Sequence, residues 1–145
     1  MRRVVLLLAV LALVLAGCGG SSGDTTVPDP PKSTAYAKGS NEKVDKLVAD
    51  WRSTVPAEMK TQGVKDLIEE KIYQSTASLK EIADFYAQLT TKGWVEARRM
   101  PGLQAENGFF TTGYEHGNTS LVVAAVDASK LGGSGVVVYT AKGTK

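Results

Sequence analysis

The chain carries a single cysteine, Cys18, and it stands just behind an unbroken apolar run of 13 residues from Val4 to Ala16. A bilayer-spanning helix needs about 20 apolar residues, so this run is too short for a permanent anchor. Behind the basic start Met1-Arg2-Arg3 it fits the apolar region of a secretory signal peptide, which runs to about 7–15 residues. Residues 1–17 are therefore expected to be a signal peptide. One cysteine allows no disulfide within the chain, so whatever is exported must be held together by its core alone. One cysteine and one histidine also exclude a four-thiolate, mixed thiolate–imidazole or multi-histidine zinc site within one chain.

The run ends in Leu15-Ala16-Gly17-Cys18. This resembles the lipobox of bacterial lipoproteins: an aliphatic residue, two small residues, then the obligatory cysteine. The resemblance implies diacylglyceryl transfer to the Cys18 sulfur and cleavage between Gly17 and Cys18. The physical logic agrees, because small residues let an extended backbone enter a protease groove and a thiol can take a thioether lipid. Two acyl chains hold a protein at a membrane where one would be marginal. Gly19 is not the aspartate that, by resemblance to proteobacterial lipoproteins, would mark inner-membrane retention. The cell membrane and the outer membrane, on the exported side, both remain open.

Charge gives little purchase. The nominal +2 comes wholly from Arg2 and Arg3; without them 15 basic side chains face 15 acidic ones, interspersed. A neutral mature chain loses the main support for a nucleic-acid partner. Residues 19–40 are rich in Gly, Ser, Thr and Pro and nearly empty of large aliphatics. They read as a flexible tether following the lipidated cysteine, with a root-mean-square reach of about 25 Å. Gly19 to Gly23 spells G-x-S-x-G, the nucleophile-elbow pattern, but without the strand before and helix after that the elbow requires.

The remaining residues, 41–145, read as a single domain. Val44, Leu47, Val48, Trp51 and Val55 form a stripe of helical period, expected to stop at Pro56. Ser78-Leu79-Lys80-Glu81 is a capping box opening a second helix, with Ile82, Phe85, Tyr86 and Leu89 on one face and Gly93 as its left-handed stop. Between them, Val64 to Thr76 fits either a helix or a strand, and the strand is preferred because turn residues and the capping box follow at once. The last third is β in character: Trp94 to Met100, ended by Pro101-Gly102; Phe109 to Glu115 after an Asn107-Gly108 turn; Thr119 to Asp127 after His116-Gly117-Asn118; and Val136 to Thr140 after the Gly132–Gly135 loop. The expected fold class is α+β, an antiparallel β-sheet of about five strands with two helices packed on one face. Thr76 to Trp94 also resembles a pattern in small uncharacterised bacterial lipoproteins, in which a helix ending in Gly-Trp feeds a β-meander. That resemblance supports the fold and implies no function.

Several residues are weighed for chemistry. His116 is the one base that titrates near neutral pH, and with Ser120 and Glu115 or Asp127 it would make a hydrolytic set. Neighbouring strand residues point to opposite faces, however, so Glu115 is badly placed to orient it. A carboxylate pair drawn from Glu69, Glu70, Glu96, Glu106, Glu115 and Asp127 would suit glycoside chemistry only across a cleft. No calcium-loop spacing occurs, and Gly132–Gly135 lacks the spacing of a phosphate loop. Trp94, Arg98, Arg99 and Met100 form the most suggestive surface, since Trp, Arg and Met are enriched at protein interfaces. The expectation is a non-enzymatic, membrane-anchored envelope lipoprotein that binds a protein or small ligand, without a cofactor. The alternatives are a small envelope hydrolase using His116 or a carboxylate pair, and a structural or inhibitory lipoprotein with one fixed partner.

Overall fold

The computed structural model describes residues 23–97 and 107–145. The signal peptide, Cys18, Arg98, Arg99, Met100 and Glu106 lie outside the described residues.

The fold is α+β. Strands β1 (Ser33–Ala35), β2 (Asp66–Ser75), β3 (Val95–Glu96), β4 (Phe109–His116), β5 (Thr119–Asp127) and β6 (Val136–Thr144) form one antiparallel sheet in the order β1-β2-β6-β5-β4-β3. Two helices accompany it, α1 (Glu42–Thr61) and α2 (Leu79–Ala87). The ambiguous 64–76 segment is a strand, and it pairs with β6 rather than with its chain neighbours. Strand β2 runs ten residues within the expected 64–76 range, whereas β6 runs nine, past its expected end at Thr140 to Thr144.

The expectation that both helices share one face is corrected. Leu121, Val123 and Ala125 of β5 pack with Ile82, Tyr86 and Leu89 from α2. Val122, Ala124 and Val126 pack instead with Val44, Val48, Val55 and Met59 from α1. Because side chains alternate across a strand, α1 and α2 cover opposite faces. This explains the apolar run Leu121–Val126: a strand buried on both sides has no polar face to show. Each fully buried Val or Leu there contributes about 1.5–3 kcal/mol.

Helix α1 starts at Asn41, whose side-chain oxygen accepts from the backbone N–H groups of Lys43 and Val44. It does not stop at Pro56, which lies inside it. A proline costs an interior helix about 3 kcal/mol, and here Val55 and Met59, both buried, lie around and beyond it. Their burial on the sheet carries the helix past the break. Helix α2 has both halves of its capping box, continues as a 3-10 turn (Gln88–Lys92) and ends at Gly93 with φ +88°, as its spacing predicts.

The tether expectation is also corrected. Val27 is buried with the α2 core. The Tyr86 hydroxyl donates to the Pro28 carbonyl, Tyr73 to Asp29, and Ser75 to the Pro31 carbonyl. The chain then turns through Lys32 and adds β1 to the edge of β2. Few side chains in this segment are large, but its backbone is satisfied by the sheet and by Tyr86 and Ser75, remote in sequence, which composition alone cannot reveal.

Candidate functional site

Strands β4 and β5 join through Gly117-Asn118, with Gly117 at φ +56°. His116 ends β4 beside this turn. Its ring centroid lies 5.6 Å from that of Trp94, tilted by 59°. The left-handed Gly93 reverses the chain after α2, and the Trp94 backbone N–H donates back to the Leu89 carbonyl. That reversal drives the indole inward: Trp94 is 2% exposed, a core residue rather than part of a binding surface. The proposed surface thus loses its tryptophan, and Arg98, Arg99 and Met100 lie outside the described residues. Two glycines complete the corner. A Cβ on Gly23 or on Gly93 would run into the His116 imidazole, so both backbones pass directly against that ring.

The residues of the hydrolytic set are not brought together. His116 pairs with Thr119 and Glu115 with Ser120, so Ser120 lies on the α1 face and His116 on the α2 face. The Ser120 hydroxyl is buried with no hydrogen-bond partner among the described residues. Glu115 is held by Lys145 at 2.6 Å. Asp127 is at the far end of β5, where its carboxylate accepts from the Ser129 hydroxyl and N–H. The hydroxyl contact is the main cause that holds Asp127 below the ordinary aspartate range.

The carboxylates are likewise dispersed into ion pairs. Glu69 meets Lys71 and Lys142 on the α2 face. Glu70, on the α1 face, accepts from the Tyr139 hydroxyl at 2.8 Å and pairs with Arg52 at 3.1 Å. Burial, then the Glu70 contact, raise the Tyr139 hydroxyl well above the usual tyrosine range. Glu96 stands exposed on β3. Among the described residues no group of three or more His, Cys, Asp or Glu side chains could hold a metal ion.

Two clefts lie at the opposite rim from His116. A cleft of about 340 Å³ lies between the start of α1 and the loop from β5 to β6, lined by Tyr36, Asn41, Gln74, Gly133 and Ser134 among others. A second, of about 360 Å³, lies over Lys32, Thr34, Gln74 and Ser134. Gln74 divides them, donating from Nε2 to the Ser134 carbonyl at 3.3 Å. The Gly132–Gly135 loop, expected to be a plain hairpin linker, forms a wall of this rim behind a 3-10 turn (Ala128–Leu131). Asn41 ties it to α1 by donating to the Leu131 carbonyl. Sequence reasoning missed Tyr36, Asn41, Gln74 and Ser134 as a group, because they come from four separate segments that only the sheet order assembles.

No helix among the described residues is long and apolar enough to cross a membrane. No family model, curated protein or solved structure matches the chain.

Proposed function

We propose that the protein is a bacterial envelope lipoprotein, anchored through lipid on Cys18 on the exported side of the cell or outer membrane, with an α+β domain that serves as a non-enzymatic binding or accessory module. The observation that carries the reading is the succession of a basic start, a 13-residue apolar run and Leu15-Ala16-Gly17-Cys18. The domain supports it in one respect, since it is built to stand without disulfides: β5 is buried along its length on both faces. The binding role is preferred to hydrolysis because His116 and Ser120 point to opposite faces and the nearby carboxylates are engaged in ion pairs. The rim at Gln74 and Ser134 is where a modest polar ligand or a segment of an envelope protein would be received.

The test is to express the protein with an alkyne-tagged fatty acid and fractionate the cells. The native chain is expected in the membrane fraction with label on the peptide beginning at Cys18. Cys18→Ser is expected to be unlabelled and to leave the membrane. Label-free membrane association of the native chain, or label retained by Cys18→Ser, defeats the reading. Crosslinking in cells, compared between the two forms, then identifies the partner, and His116→Ala leaves that crosslinking unchanged.

A further inference from the structure

The sheet has two rims. At the upper rim lie Ser75, Asp127 and Phe109; at the lower rim lie Asp66, Thr144, the Gly117-Asn118 turn, His116 and Val95, as the strand registers require. Both helices run from upper to lower rim. Val44 and Val48 of α1 pack near Val126 and Val137, whereas Met59 packs near Val122 and Ala141. Helix α2 begins just after Ser75 and is followed by Trp94 at His116.

Three facts converge on the lower rim. First, the described chain begins there, with Gly23 packed on the His116 ring. Only five peptide units separate Gly23 from Cys18, and fully extended they reach at most about 18 Å. Second, three of the four exposed large hydrophobic side chains among the described residues are there, Leu67, Ile68 and Val95, with Val95 66% exposed. Third, Lys60, Lys65, Lys92 and Lys145 ring the same end. Asp24, Asp66, Glu96 and Glu115 balance that charge, so apolar contact and the short leash, not net charge, dominate.

We propose that the lower rim is a membrane-docking surface: the lipid bilayer that holds Cys18 also receives Val95, Leu67 and Ile68, with the lysines at headgroup level. This rests on the lipoprotein reading above. A 22-residue free tether would let the domain tumble; a leash of five residues ending at one corner of the rim holds that corner against the headgroups. The sheet then stands upright. Strand β4 is about 26 Å tall, so the upper rim with the Gln74–Ser134 clefts faces away from the membrane, presented to the envelope.

With the Cys18 sulfur in a thioether, any introduced cysteine is the sole free thiol. Lipidated Val95→Cys, Ile68→Cys and Phe109→Cys proteins, all altered at exposed positions, are labelled with a fluorophore. They are reconstituted into phosphatidylethanolamine–phosphatidylglycerol vesicles containing a quencher attached to the acyl chains. Labels at positions 95 and 68 are expected to be quenched several-fold more than the label at 109. Equal quenching at the three positions in protein that floats with the vesicles overturns the docked orientation and leaves the anchor intact. Protein that does not float defeats the lipoprotein reading and this proposal together.

Discussion

The two faces of the sheet are covered by different means. On the α1 face a 20-residue helix, about 30 Å long, spans the whole height of the strands. Beneath it lie two mainly aliphatic clusters, bridged by Trp51 and Ile72. On the α2 face the helix has nine residues and is about 14 Å long, half the height to be covered. The deficit is met by the 3-10 turn that follows, by bulky aromatics (Tyr86, Phe110, Tyr114 and Trp94 in one cluster) and by the N-terminal segment through Val27. A long helix covers a sheet face by itself. A short one must recruit chain from elsewhere, and here it recruits the segment whose composition least resembles a core.

The comparison can be broken or sharpened by substitution, each followed by urea unfolding of the soluble Cys18→Ser form. The largest effect is expected at Tyr86→Ala, which removes a fully buried ring from the α2 face and costs about 4 kcal/mol. Met59→Ala on the α1 face leaves a smaller cavity, and about 3 kcal/mol is expected. A larger loss from Met59 would reverse the ranking of the faces. Val27→Ala is expected to cost about 2 kcal/mol; a change near zero would mean that the N-terminal segment adds nothing to the α2 face.

Ser78→Ala, which removes the cap of the short helix, is expected to cost about 1 kcal/mol. Its partner Glu81 makes the effect pH-dependent. The Ser78 backbone N–H, then the Ser78 hydroxyl, then Lys32 stabilise the Glu81 carboxylate and lower its pKa to about 2. The folded state therefore binds the proton less readily than the unfolded chain, where the value is about 4.3. The Glu81 contribution is whole above that unfolded value, shrinks as pH falls, and is gone below about 2. Glu81→Gln can still accept from the Ser78 N–H and so keeps the box. The variant should lose the part of the acid dependence between those limits, as read from unfolding at several pH values. The smallest effect belongs to Ser120→Ala on the α1 face. Its buried hydroxyl has no partner among the described residues, so the change is expected to be neutral or slightly stabilising. A loss above about 1 kcal/mol would reveal an unseen partner.

Helix α2, its capping box and its glycine stop were legible because every signal is local: Ser78 and Glu81 are three residues apart and Gly93 needs only its own backbone angle. Strand β5 was legible from its apolar run, and the turn before it from His116-Gly117-Asn118. Pro56 misled because propensity weighs a broken backbone bond and does not see the sheet beneath Met59. Trp94 misled because alternation places it on a strand face, whereas Gly93 turns it into the core. The Gln74–Ser134 rim could not be read at all, since nothing local ties those two residues together.

The sequence by itself determined what depends on neighbours along the chain: the apolar run ahead of Cys18, the two helices, the turns and the antiparallel α+β class. Tertiary structure alone decided which face each helix covers, that β2 joins β6, and that residues 27–36 belong to the domain. The reason is physical. Alternation says that a strand has two faces and an apolar run says that both are buried, but neither says what lies over them. The choice is made by how much apolar area each distant segment can cover, a sum over contacts between residues that can stand 60 or more positions apart, as Gln74 and Ser134 do.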